Sequence, residues 1–310
     1  MAFAFVFPGQ GSQSVGMMQE YGDNAVIRDT FREASDALGQ DLWQLCAEGP
    51  ASELALTVNT QPLMLTAGIA VWRAWRAAGG GVPQWVAGHS LGEYAALVAA
   101  EVLTLADAVP LVRLRAQAMQ EAVPAGEGAM AAVMGLDAEA IAQACAEAAQ
   151  GEVVSAANLN APGQIVIAGA KAAVDRAIAA CKGRGARRAV LLPVSAPFHC
   201  ELMKPAAEKL QARLQDIAFA EPKIAVVNNV DVAVETRPEA IRDALVRQAW
   251  KPVRWTELVQ WLVAQGAQTI AECGPGKVLA GMNKRIAAET THLALADAAS
   301  LQAALAQLNG

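Results

Sequence analysis

The stretch Val86-Ala87-Gly88-His89-Ser90-Leu91-Gly92-Glu93-Tyr94 constrains the fold of this chain more than any other. It reads as a buried strand, a tight turn bracketed by Gly88 and Gly92, and a helix from Leu91 to about Leu103. In a G-x-S-x-G turn the bend is sharp enough to thrust the serine hydroxyl out at the top of a sheet. Glycines are required because the turn strains the backbone and packs strand against helix more closely than a Cβ allows. A helix that begins just after Ser90 also aims its first free N–H groups at whatever is bonded to the serine. Ser90 is therefore a candidate nucleophile; the alternative is a structural turn that happens to carry a serine.

A chain of 310 residues can bury a large core and divide into one large and one smaller domain. Its 54% hydrophobic and 17% charged content suits a compact enzyme and excludes a disordered or fibrous chain. Charges and prolines interrupt every apolar run before transmembrane length, so no membrane span is expected. Residues 1–7 are apolar but lack a positive leading segment and stop at Pro8-Gly9, which reads as a buried first strand over 3–7 rather than a signal peptide. Five cysteines without C-x-x-C spacing fit a cytoplasmic protein, with neither a disulfide framework nor a zinc site. The net charge of −6 argues against general nucleic-acid binding while leaving room for a local basic patch.

Along the chain, strand 3–7 runs directly into Pro8-Gly9-Gln10-Gly11-Ser12-Gln13. Such a loop can turn backbone N–H groups outward to hold an anion, or can be an ordinary tight turn; the G-K-[ST] of a phosphate loop is missing. Helical patterns cover 25–38 and 62–78, the second with Pro62 in its first turn and stopped by Gly79-Gly80-Gly81. Thr104 and Asp107 form a capping pattern for a helix reaching about Val123, and Pro110 inside it should kink the helix or delay its start. On that helix Ala108, Leu111, Met119 and Ala122 share one face with Arg115, whereas Arg113, Gln117 and Gln120 fall on the wet side. A guanidinium on a core stripe needs a carboxylate partner from the protein or from a ligand, unless its stem snorkels to water.

From 127 the pattern changes to strand 129–134, helix 137–149, strands 153–158 and 164–169, helix 171–182 and strand 187–192. That βαββαβ order is the split arrangement of a ferredoxin-like unit, with Asn160-Ala161-Pro162-Gly163 as its hairpin connection. His199 ends the loop Pro193-Val194-Ser195-Ala196-Pro197-Phe198 where a helix begins near Leu202, and the positive end of a helix favours the neutral imidazole a general base needs. A lone histidine can equally be structural. His89 is expected to point off the opposite side of the serine turn, and His292 falls on a late strand over 291–295. The remaining pattern is strand 224–228, helix 238–249 stopped by Lys251-Pro252, helix 256–265, strand 269–272, helix 277–287 and helix 298–308. Because Pro252 follows it, the helix of 238–249 leaves carbonyls near Gln248 without intrahelical partners.

Taken together the motifs resemble the malonyl-CoA:acyl carrier protein transacylases, kin of polyketide-synthase acyltransferase domains. The resemblance spans the chain and rests on Phe7-Pro8-Gly9-Gln10-Gly11-Ser12-Gln13, Gly88-His89-Ser90-Leu91-Gly92-Glu93-Tyr94, Arg115, Asn160-Ala161-Pro162-Gly163-Gln164, Ser195-Ala196-Pro197-Phe198-His199, Lys251-Pro252-Val253-Arg254-Trp255 and Gly274-Pro275-Gly276. It implies an α/β-hydrolase-like core with a parallel sheet (1–126 and 198–310) carrying an inserted ferredoxin-like small domain (127–197). By the same resemblance Ser90 accepts the acyl group and His199 is its base, oriented by the main-chain carbonyl of Gln248. Gln10 and Leu91 would supply the oxyanion N–H groups. Arg115 would bind the malonyl carboxylate, and Asn160 and Phe198 would line the substrate site, Phe198 favouring malonyl over methylmalonyl. The expected substrate is malonyl-CoA and the expected partner an acyl carrier protein. No cofactor, metal, nucleic acid or membrane is implied, and nothing in the sequence resembles an obligate dimer surface. Pathway, fatty acid or polyketide, stays open.

Two other readings compete. An esterase or thioesterase of the α/β-hydrolase type shares G-x-S-x-G but runs Ser…Asp…His, which would recruit His292 and Asp297 and leave Arg115 unexplained. A non-catalytic carrier-docking scaffold would leave the set of Ser90, His199 and Arg115 without a purpose.

Overall fold

The computed structural model describes residues 2–309; Met1, at the head of the apolar run, and Gly310 lie outside them. Phe3–Phe7 (β1) is buried at every position, as a strand covered on both faces must be. It pairs in parallel with Trp85–Gly88 (β2) on one side and Thr269–Cys273 (β8) on the other. Ala225–Val227 (β7) and Thr291–Leu295 (β9) complete a parallel sheet of order β7-β2-β1-β8-β9. Alternation along β1 splits the core in two: Phe3, Phe5 and Phe7 face one helical layer, while Ala4 and Val6 face the other.

The phenylalanine side is covered by Ala25–Leu38 (α1), the short Leu42–Glu48 (α2) and Ala51–Leu54 (α3), Thr57–Ala77 (α4), Gly92–Ala99 (α5) and Leu105–Glu121 (α6). Lys204–Gln215 (α9) and Pro238–Gln248 (α10) extend that layer. The opposite face packs on Trp255–Ala264 (α11) and Val278–Ile286 (α12), and Ala298–Leu308 (α13) closes the described chain. Among the described residues no helix is long and apolar enough to cross a membrane.

The second sheet is built from Gly128–Met134 (β3), Val154–Ala161 (β4), Gln164–Ala170 (β5) and Arg188–Leu191 (β6), with Ala138–Ala149 (α7) and Lys171–Gly183 (α8) in the βαββαβ sequence. Its order β4-β5-β3-β6 is antiparallel throughout, the ferredoxin-like arrangement expected from the pattern. Ile165 and Ile167 of β5 face α7 and α8, whereas Val166 and Ala168 face Cys200, Phe198 and Leu202. The second face of the small sheet is thereby a wall against which the histidine loop packs. At its edge β4 is stitched to the segment after α10 by Val253 N–H to the Ala157 carbonyl and Leu159 N–H to the Val253 carbonyl, both 2.9 Å.

Several boundaries differ from the sequence expectation, each for a local reason. α5 ends at Ala99 rather than near 103, because Glu101 takes a left-handed φ of 60°. Val102 N–H then reaches the Leu97 carbonyl and Glu101 N–H that of Val98, which closes the end in a Schellman motif. Thr104 caps α6 as expected, its Oγ1 accepting from Asp107 N–H at 3.1 Å. Pro110 does not delay that helix, which is unbroken from Leu105 to Glu121. α4 begins at Thr57, ahead of Pro62. The short helices α2 and α3 carry too few turns to show a hydrophobic period and were not expected.

Candidate active site

Register alone brings the first two loops together. Phe7 lies opposite Gly88, so the loop after β1 leaves the sheet beside the serine turn, at the carboxyl ends of the strands. Ser90 sits at φ 52°. A Cβ on Gly92 would stand 2.0 Å from the Phe7 carbonyl oxygen, and one on Gly88 1.8 Å from the Gly92 carbonyl carbon. Both glycines are thus fixed by backbone against backbone, and the strained turn is held from below as its motif requires.

His199 comes from the loop that packs on the small sheet and meets Ser90 from the other side, its Nε2 2.7 Å from Ser90 Oγ. Its Nδ1 lies 2.8 Å from the Gln248 main-chain oxygen, at the carbonyl end of α10. A carbonyl can only accept, so Nδ1 carries the proton and Nε2 presents a lone pair to the serine hydroxyl. Burial pushes the imidazole down to about 3, and the guanidinium of Arg115 pushes in the same direction. His199 is therefore neutral at physiological pH, the state that can take a proton from Ser90.

Arg115 is only 2% exposed, so its head does not snorkel. Its Nη1 donates to Gln61 Oε1 at 2.8 Å, and Nη2 to Gln248 Oε1 at 3.0 Å and to Ser90 Oγ at 3.2 Å. The Tyr94 ring lies beneath it, 5.4 Å from Cζ to centroid. Every hydrogen-bond acceptor is neutral, Nε is buried without a partner, and among the described residues no carboxylate pairs with it. The site thus holds a buried cation that lacks a direct counter-ion, next to a nucleophile.

These groups open on a cavity of about 460 Å³ lined by Gln10, Ser90, Leu91, Arg115, Asn160 and Phe198, among others. Among the described residues neither the Gln10 nor the Leu91 N–H has a hydrogen-bond acceptor, so both are free to meet a developing oxyanion. Asn160 is turned by His89, whose Nε2 is 2.8 Å from Asn160 Oδ1 and whose ring lies 5.4 Å from that of Trp255. This corrects the expectation for His89: it does not point away from the site but lines the same cavity. His292 and Asp297 do not join the site; the former lies 2.7 Å from the Ala287 carbonyl oxygen and the latter caps α13.

Four buried residues of the site were missed from the sequence: Gln61, Glu93, Asn229 and Thr57. Thr57 Oγ1 donates to Gln10 Oε1 at 3.3 Å and so braces the first loop. Glu93 had a signal, a carboxylate in the otherwise apolar run 92–99. Asn229 follows a three-residue strand and has none.

A serine–histidine pair and free N–H groups at the carboxyl ends of an α/β-hydrolase-like sheet are the arrangement of an acyl-transfer enzyme. The chain belongs to the acyl transferase domain family, whose model matches residues 4–301. It is 58% identical over 306 residues to the malonyl CoA-acyl carrier protein transacylase of Salmonella typhimurium strain LT2, covering 98% of this chain and 99% of that protein. A crystal structure of an acyl-carrier-protein S-malonyltransferase from Burkholderia pseudomallei 1710b superposes with a TM-score of 0.98 at 58% identity, over 99% of this chain and 100% of that one. A type II PKS acyl-carrier protein in complex with its malonyl-transacylase superposes equally well, at TM-score 0.98 and 54% identity, over 99% of this chain and 100% of that one.

Proposed function

We propose that this enzyme moves a malonyl group from malonyl-CoA to the phosphopantetheine thiol of an acyl carrier protein, through a malonyl ester on Ser90. The observation that carries the reading is Arg115, a buried cation with neutral acceptors only, within hydrogen-bond reach of the nucleophile. A substrate with a free carboxylate supplies the missing charge in the bidentate geometry a guanidinium prefers. His199 takes the Ser90 proton as Oγ attacks the thioester carbonyl, and the Gln10 and Leu91 N–H groups receive the oxyanion. Collapse expels the CoA thiol with the proton held on His199, and the carrier thiol then attacks the ester by the reverse route. Asn160 and Phe198 line the acyl chamber. Nucleophile, base and charge stabilisation all come from the chain, so the chemistry calls for no cofactor.

The division into a core of 1–126 and 198–310 and a small domain of 127–197 belongs to the same reading, with the cavity between them. All site groups come from one chain, which supports a monomer as the working unit. Five buried free cysteines support a reducing, cytoplasmic setting. Fatty acid synthesis is the pathway this reading favours, and likeness to the polyketide complex keeps a polyketide carrier as the second reading.

Mass spectrometry after mixing with malonyl-CoA tests the proposal. A malonyl adduct on Ser90 that a carrier thiol discharges is the expected result. Ser90→Ala should abolish it, and His199→Ala should slow it by orders of magnitude because base and nucleophile act as a unit. Rapid hydrolysis in place of transfer would make the protein an esterase, and no adduct would leave a scaffold.

A further inference from the structure

Beneath the reacting groups lies a second layer of buried polar side chains organised around one carboxylate. Glu93, at the start of α5, is 2% exposed, and its Oε2 accepts from Gln248 Nε2 at 3.1 Å and from Asn229 N–H at 2.9 Å. The same Gln248 Nε2 donates to the Ser90 main-chain oxygen at 2.9 Å. Asn229 in turn accepts from Ser90 N–H through Oδ1 at 2.8 Å and donates through Nδ2 to the Gly88 carbonyl at 2.7 Å. The two neighbours of Glu93 therefore grip the nucleophile turn at both Ser90 backbone groups.

Gln248 has two further duties. Its main-chain oxygen orients His199 and its side-chain Oε1 accepts from Arg115. A primary amide can present oxygen or nitrogen in either direction, and only its surroundings decide which way it is set. Burial pushes the Glu93 carboxyl up to about 7, while the Asn229 and Gln248 donors and the Arg115 charge pull it back down. Both donors converge on Oε2, which accepts in either protonation state, so Glu93 draws the Gln248 NH2 toward itself and leaves the carbonyl oxygen for Arg115. Reversal would put an NH2 group against a guanidinium, donor against donor. When ionised, Glu93 also places a negative charge one amide behind Arg115, which opposes the burial that disfavours the guanidinium without pairing with it directly.

We infer that Glu93 is a positioning residue: through Gln248 and Asn229 it sets the orientation of His199, Arg115 and the Ser90 turn without touching the substrate. This rests on the reading of Ser90, His199 and Arg115 given above. Outer groups of this kind matter because a misplacement of about 1 Å at the reacting atoms can cost about a hundredfold in rate.

The test uses Glu93→Gln, Gln248→Leu and the double variant, each checked for folding by thermal unfolding. Single-turnover acylation of Ser90 is followed with malonyl-CoA and acetyl-CoA in parallel. Glu93→Gln should lose about 10²-fold in acylation by malonyl-CoA, with a smaller loss for acetyl-CoA, so that the malonyl preference narrows. Gln248→Leu should show the same pattern, and the double variant should be no worse than the poorer single one, because the two residues act in series. A folded Glu93→Gln protein with wild-type rate and preference overturns the inference, as do losses that multiply in the double variant. Should Glu93→Gln not fold, Glu93→Asp keeps the charge and withdraws it by one methylene; it must still lower malonyl acylation and preference, and wild-type behaviour in that variant overturns the inference equally. A wild-type enzyme that malonyl-CoA does not acylate fails the proposed function instead, so the two failures are distinct.

Discussion

At the scale of single residues, the proposed reading has one unmatched charge decide the substrate class. Placing a guanidinium in the core costs free energy unless it is paired, and removal of one partner of a buried charge pair costs about 2–5 kcal/mol. Arg115 is surrounded by Gln61, Gln248 and Ser90, all neutral, so the pair is completed only when a carboxylate arrives. Arg115→Ala should then reduce acylation by malonyl-CoA by roughly 30- to several-thousand-fold. Acetyl-CoA, with no carboxylate to lose, should suffer far less and gain in relative terms. Single-turnover acylation with both donors reads the ratio directly. A variant that keeps the wild-type preference would make Arg115 a structural cation. Lysine is a poor substitute, since its compact ammonium cannot hold both Gln61 and Gln248 while meeting a carboxylate edge-on.

At the scale of elements, the serine turn is a junction of three backbones. β1 lies against α5 so closely that Gly92 touches the Phe7 carbonyl, and Gly9 lies close enough that a Cβ there would fall 2.5 Å from the His89 carbonyl oxygen. Gly92→Ala places a methyl 2.0 Å from a central-strand oxygen that no rotamer can move. It should destabilise the protein by about 3 kcal/mol or more, the upper range of overpacking, seen as a lowered denaturant midpoint. An unshifted midpoint would show that the strand can yield. This junction was legible in the sequence because glycine spacing reports backbone proximity directly. The small sheet was legible for a related reason: its strands alternate and its helices are long enough to show their period. Glu93, Gln61 and Asn229 were not, because a buried polar residue is recognised by partners that lie far along the chain. Gln248 and Ser90, 158 residues apart, are one such contact. Arg115 stood out only because its helix has a readable apolar stripe, and His89 was misjudged because a strained turn reorients the side chains beside it.

At the scale of the whole molecule, an enzyme of net charge −6 needs a local positive face where its cavity opens if the carrier it meets on the proposed reading is acidic. Two basic clusters are candidates: Lys182, Arg184, Arg187 and Arg188, from the end of α8 to the start of β6, and Lys284 with Arg285 on α12. Arg184 of the first is engaged with Glu147, while Arg187 and Arg188 are exposed and enter no ion pair among the described residues. α12 contributes Val278, Leu279 and Met282 to the cavity wall, and Val278 is exposed at its mouth, so Lys284 and Arg285 lie on the helix a docked carrier would meet. Arg285 donates to the Pro162 carbonyl and to Gln164, the hairpin turn of the small sheet. The adjoining Gly163 approaches Gly135, against which the Arg187 side chain packs. The two clusters are therefore neighbours along one edge rather than rivals on opposite faces. Lys284→Glu and Arg187→Glu are the informative changes, because neither side chain is paired among the described residues and Arg285 braces the hairpin. Each should raise the KM for the carrier and flatten its salt dependence, while leaving acylation by malonyl-CoA unchanged, since steering acts on encounter and not on chemistry. Losses should be larger in the double variant than in either alone. Steady-state transfer at two ionic strengths measures this, and a carrier KM that responds to neither change would remove this edge as the docking face.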